Sequence, residues 1–145
     1  ITVNESFATY CEYLWREFKY GKDHADAHLF QDKSVYLMGD NFNKKLVRFH
    51  YENREDVFDG VSYQKGASIL HMLRKYVGDQ SFFAGLKHYL IKHQFKAVEA
   101  HELRIALEEI SGKDLNPFFN QWYYRKFKCV NNRCKTHYCS FSSNF

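Results

Sequence analysis

The chain has 145 residues, enough for one domain with a modest core. Hydrophobic residues make up 45% and aromatics 19%, which excludes a disordered chain, and one Pro with seven Gly favours long helices over a turn-rich all-β fold. The net charge of +4 describes a mixed surface whose densest basic cluster is Arg125, Lys126 and Lys128, with another pair at Lys44-Lys45, a pattern that argues against a nucleic-acid partner.

No apolar run approaches the roughly 18 residues that cross a bilayer, so no membrane span is expected. No basic segment followed by an apolar one opens the chain, and the compartment is not written in these residues. The first helix is predicted from Asn4-Glu5-Ser6 to Tyr20, with Phe7, Tyr10, Cys11, Leu14, Trp15 and Phe18 as one apolar face and Cys11 as a small core residue. Gly21 is expected to end it as a left-handed cap, and Asp23 to cap a second helix running to about Tyr36. The stretch from Met38 to Val61, rich in Asn, Asp and Gly, reads as a long irregular connection of the kind that is often functional.

Ser62 is the expected N-cap of a third helix, with Ile69, Leu70, Leu73, Tyr76 and Val77 inside and Gly78 as its stop. Asp79 should cap a fourth helix with Phe82, Phe83, Leu86, Tyr89 and Leu90 inside. A fifth, from about Glu99 to Ser111, buries Leu103, Leu107 and Ile110 and ends at Gly112. Asp114 should cap a short last helix with Pro117 in its first turn and Phe118, Phe119 and Trp122 as anchors. Six helices and no strand predict an all-α multi-helix bundle. After Tyr124 the pattern loses all period, so residues 1–124 form the expected domain and 125–145 an atypical tail, disordered or loosely attached.

Two local patterns carry chemistry. The first is Val3-Asn4-Glu5-Ser6-Phe7-Ala8, and the second is Phe58-Asp59-Gly60-Val61-Ser62-Tyr63-Gln64-Lys65-Gly66-Ala67. Each alone is weak. Glu5 by itself is a helix-start carboxylate favoured by the helix dipole, and Tyr63 a half-buried aromatic at a helix start. In this order, with Gly78-Asp79, Ser111-Gly112-Lys113-Asp114-Leu115 and Phe118-Phe119-Asn120-Gln121-Trp122 downstream, they resemble the aminopeptidase N family of gluzincin zinc metallopeptidases from Val3 to about Tyr123.

The resemblance implies the helical half of a thermolysin-like catalytic domain and a peptide substrate. Glu5 matches the third protein ligand of the catalytic zinc, in a His-His-Glu set that leaves one position open. Tyr63 matches the tyrosine whose phenol donates to the tetrahedral oxyanion, where developing charge makes the bond worth most. Glu12 lies two helical turns after Glu5 on the same face. It either accepts a hydrogen bond from a ligand histidine or is a solvated surface charge. The Phe-Asp-x-Val-Ser-Tyr context leans towards a peptidase over an epoxide-hydrolysing relative.

One departure is decisive for activity. These 145 residues contain no His-Glu-x-x-His, the motif that supplies two zinc ligands and the general base. His101-Glu102-Leu103-Arg104-Ile105 begins like it but has Ile105 at the second ligand position, and reads as a polar first turn. His24 and His28 share a helix face without a third ligand, and read as solvated surface. Cys129, Cys134, His137 and Cys139 could bind a structural zinc, but their spacing matches no ordinary zinc knuckle, and a truncated or misframed end is the better reading. A lone Glu5 cannot hold a catalytic zinc, so Zn2+ belongs to the complete protein and the isolated chain is expected to be inactive. The alternative is a helical binding or scaffold module that kept the fold and lost the chemistry. Faces shaped to meet other parts of a catalytic domain should remain apolar and exposed, so self-association is expected.

Overall fold

The computed structural model describes residues 1–126 apart from Asp40 and Phe42, together with the backbone of residues 129–130 and 133–134. Six helices follow one another: α1 (Thr2–Tyr20), α2 (Lys22–Met38), α3 (Gly66–Val77), α4 (Asp79–Lys92), α5 (Ala100–Ser111) and α6 (Asn116–Trp122). The connection from α2 to α3 is long and irregular, as its composition predicts. It contains a 3-10 turn, Arg54–Val57, and a π-helical turn, Val61–Lys65, that runs directly into α3. The all-α expectation holds, with one small addition: Cys129–Val130 pairs antiparallel with Arg133–Cys134. The side chains of the 125–145 tail on which its metal reading rests, those of Cys129, Cys134, His137 and Cys139, lie outside the described residues.

α1 packs on both α2 and α3, and α4 packs on α5. The core runs through these layers from Tyr10 and Tyr13 of α1 to Leu70 and Leu73 of α3, Phe82 of α4, Leu103 and Leu107 of α5 and Phe119 of α6. α4 and α5 pack closely at Gly85, where a Cβ would lie 2.6 Å from Leu107 Cδ2. α6 docks through Leu115, Phe119 and Tyr123, and the Tyr123 carbonyl accepts a 3.0 Å hydrogen bond from Val47 N, tying the irregular connection to the far end of the chain.

The inward face of α1 differs from the expected one. Ser6, Thr9, Tyr10 and Tyr13 are buried, whereas Cys11 is exposed, Trp15 is 57% exposed and Phe18 84%. Both faces of this helix carry aromatics, so apolar spacing alone does not choose between them. The packed partners do. They supply Ser62 O for Ser6, His71 Nδ1 for the Tyr10 hydroxyl at 3.2 Å and Asp26 Oδ1 for the Tyr13 hydroxyl at 2.8 Å, so these polar groups can be buried with their hydrogen bonds made. Cys11, Trp15 and Phe18 are left facing outward.

The helix starts also differ from expectation. Gly21 and Gly78 each take φ of +89° with extended ψ and form single-residue corners, so each serves as the N-cap of the next helix. Asp23 and Asp79 therefore fall inside first turns, where their charge favours the helix dipole. Ser62 is not a cap but sits buried inside the π-helical turn. Asp114 does accept a 2.9 Å bond from Asn116 N, although Leu115 occupies the cap position. Gly112 closes α5 at the expected place, and does so in the left-handed conformation.

Candidate functional site

The first turn of α1 meets the π-helical turn edge to edge. Ser6 Oγ donates a buried 2.7 Å hydrogen bond to Ser62 O. The backbone of Gly66 presses on the same serine: a Cβ there would lie 1.8 Å from Ser6 Oγ and 2.6 Å from Ser6 Cβ. Any side chain larger than hydrogen at residue 66 would push the two elements apart. Glu5 precedes Ser6, and Tyr63 follows Ser62, so this contact carries the two candidate residues to one place.

The Glu5 carboxylate and the Tyr63 phenol are both half-buried there. Desolvation raises the phenol's pKa, and the nearby Glu5 carboxylate raises it further. The phenol therefore stays a neutral O–H donor at physiological pH, beside an acceptor-only carboxylate.

The π-helical turn is held from below. Its wide i→i+5 bond joins Lys65 N to Gly60 O at 3.0 Å. Asp59 accepts Val61 N at 3.1 Å and Ser62 N at 3.3 Å on its carboxylate, and Tyr63 N at 3.1 Å on its carbonyl. Arg48 grips the Asp59 carboxylate with two bonds, 2.8 and 3.0 Å, and Lys44 adds a third at 2.8 Å. Burial alone would raise the Asp59 carboxyl, but these two cations outweigh it and hold it down at about 2. Ser62 Oγ donates to Val57 O at 2.6 Å and accepts from Arg48 at 2.9 Å. Lys65 is buried, with its ammonium near Lys44 O at 3.3 Å, and burial followed by the Arg48 charge pulls it down to about 8.

Behind the site, His71 is 7% exposed and lies edge-on to the Tyr13 ring. Burial, helped by Lys75 and Lys33, holds its imidazole down at about 4, so it is neutral. Arg74 of α3 bridges Glu17 of α1 at 2.7 Å and Asp79 of α4 at 2.7 Å, joining three helices.

Among the other sequence candidates, Glu12 meets His28. Glu12 is exposed on α1, 3.9 Å from His28 Nε2, and His28 Nδ1 lies 3.4 Å from Asp32. His24 leans on the Tyr20 ring instead. His101 is exposed beside Glu99 and Glu102 in the first turn of α5, where Glu102 is engaged in a capping box with Glu99. Among the described residues no group of three His, Cys, Asp or Glu side chains is arranged to hold a metal.

The two quoted patterns single out Glu5 and Tyr63 but not the bonds around them. Ser6, Asp59, Ser62 and Gly66 all sit inside the two quoted patterns, and their types carried a readable hint: small residues for close approach, an aspartate ahead of a helix start. Arg48 had no local signal, because it comes from the irregular connection.

An all-helical scaffold that joins an Asn-Glu-x-Phe-Ala segment to a Tyr-x-Lys-Gly-Ala segment through the Ser6–Ser62 bond fits a peptidase family. The profile of the peptidase family M1 domain matches residues 1–122, and the chain belongs to this family, the aminopeptidase N family. It is 30% identical over 125 residues to "Probable aminopeptidase 1" of Sulfurisphaera tokodaii, covering 83% of this chain and 16% of that protein. It is 33% identical over 125 residues to the glutamyl aminopeptidase of Bitis rhinoceros, covering 83% of this chain and 13% of that one. The aminopeptidase N of Lactococcus lactis is 40% identical over 74 residues, 50% of this chain and 9% of that protein. The chain thus spans about one-sixth or less of the length of these relatives.

Proposed function

We propose that residues 1–124 are the helical part of the catalytic domain of a zinc-dependent aminopeptidase that removes N-terminal residues from peptides. The observation that carries this reading is the buried Ser6–Ser62 bond, which brings the Glu5 pattern beside the Tyr63 pattern, with the Glu5 carboxylate raising the Tyr63 phenol's pKa.

The donor chemistry of Glu5 suits zinc in type but not in number. It is one carboxylate where a catalytic site takes three protein ligands, and it would hold the metal together with two histidines of a His-Glu-x-x-His helix. Bound zinc would polarise the scissile carbonyl as a Lewis acid. The chain's own contribution would be the neutral Tyr63 O–H, a donor to the carbonyl oxygen as it becomes tetrahedral once Glu5 is taken up by the metal. Such a donor stabilises the transition state more than the substrate and so acts on kcat. Glu12, exposed on the same helix, would orient a ligand histidine on this reading. The 145 residues alone lack the remaining ligands and a general base, so the isolated chain does not turn over.

The test is hydrolysis of an amino-acid anilide with metal analysis. A full-length protein carrying this segment behind a His-Glu-x-x-His helix should hydrolyse the anilide, and Glu5→Gln should strip its zinc and its activity together. The chain alone, with zinc added, should show none. Turnover by the chain alone that Glu5→Ala abolishes would overturn the inactivity, and a zinc-free, inactive full-length protein would leave a scaffold.

A further inference from the structure

We propose that Arg48, acting through Asp59, is the positioning residue of this site: the pair fixes the π-helical turn that carries Tyr63 beside the first turn of α1, where Glu5 lies. The proposal rests on the reading of Tyr63 as the hydrogen-bond donor of the active site.

A π-helical turn is uncommon and occurs mostly as a single turn, frequently at functional sites, because its wide ring packs less well than an α-turn. It persists where its surroundings impose it. Here three consecutive backbone N–H groups, those of Val61, Ser62 and Tyr63, all end on Asp59. The direction of the Tyr63 side chain is therefore set by where Asp59 is held.

Asp59 is held by Arg48. The guanidinium reaches both carboxylate oxygens at once, a geometry only Arg offers, and both side chains are largely buried, so solvent screens the pair weakly. The same guanidinium bonds Asp56 O at 3.1 Å and Val57 O at 3.3 Å before the turn, and Ser62 Oγ at 2.9 Å within it. Arg48 thus cross-links the backbone on either side of Gly60. From the opposite side, Ser6 holds Ser62 O. Lys44 also reaches Asp59 but is more exposed and makes a single bond, so it adds charge without adding direction.

The test is NMR of the 145-residue chain with ring-labelled tyrosine, at one fixed neutral pH, with Tyr63 assigned by Tyr63→Phe. The readouts are the contact between the Tyr63 ring and the Glu5 side chain, and the Tyr63 Cζ shift, compared with that in Glu5→Gln. Asp59→Asn keeps the acceptor but loses its charge; Arg48→Lys keeps the charge but loses the fork. Both should lose the Tyr63–Glu5 contact and move the Cζ shift to its Glu5→Gln value, while the Tyr13–Asp26 contact stays. Retention of the Tyr63–Glu5 contact in both variants would overturn the proposal. So would joint loss of the Tyr13–Asp26 contact in both, which would make the pair a general stability element. Neither readout involves zinc or turnover, so the result stands apart from whether peptides are hydrolysed. Absence of the Tyr63–Glu5 contact in the unsubstituted chain would defeat the functional reading and this proposal together.

Discussion

Ser6 Oγ and Ser62 O are joined by a buried 2.7 Å hydrogen bond that fastens the first turn of α1 to the turn preceding α3. Removing the donor in Ser6→Ala leaves a weakened junction and should cost about 1–2 kcal/mol of stability. Gly66→Ala should cost more, about 2–3 kcal/mol, because its Cβ would fall 1.8 Å from Ser6 Oγ. Ser6→Gly removes the atoms in the way, so the double variant Ser6→Gly/Gly66→Ala should be more stable than the sum of the two single losses. Urea unfolding of the four chains measures this; strict additivity would contradict the close approach.

Acid should weaken the fold before the carboxylates titrate. The imidazole of His71 is held at about 4, against 6.5 for a free histidine, by burial first and by Lys75, Lys33 and Arg74, with Asp26 opposing and Tyr10 and Tyr13 packed against it. The folded chain therefore binds fewer protons there than the unfolded one between those two values. Stability falls as pH drops through that window, by roughly 3 kcal/mol in full. In urea melts at pH 7 and pH 5, the wild-type chain should lose stability and His71→Gln should lose distinctly less. Equal losses would contradict a neutral, buried His71.

The same sign holds at Lys65, in a higher pH window. Its ammonium is held at about 8 rather than 10.5, so between these values the unfolded chain binds more protons and stability rises with pH. Lys65→Met should remove that rise between pH 8 and pH 9.5. Parallel curves for the two chains over this range would show Lys65 to be solvated.

Helix existence was legible in the sequence because each helix carries its own period and its own stop, such as Gly21, Gly78 and Gly112. Which face of α1 turns inward was not, because the answer depends on hydrogen-bond partners 13 to 61 residues away, Asp26, Ser62 and His71. Cys11, Trp15 and Phe18 looked like core by spacing and lie outside it for that reason. The N-caps at Asp23, Ser62 and Asp79 went astray by a similar route. Glycine corners shortened two connections to one residue, and Ser62 was committed to Val57, Arg48 and Ser6. Glu5 and Tyr63 were legible only because two patterns occurred in order. The bonds that brace the turn carrying Tyr63 come partly from Arg48, in a segment without period.

The decisive measurement is the kinetic effect of Tyr63→Phe in the full-length, zinc-loaded protein. If the phenol donates to the developing oxyanion beside Glu5, kcat should fall by about 10²–10³-fold with KM and zinc content nearly unchanged. An unaltered kcat, or a rise in KM alone, would contradict the account.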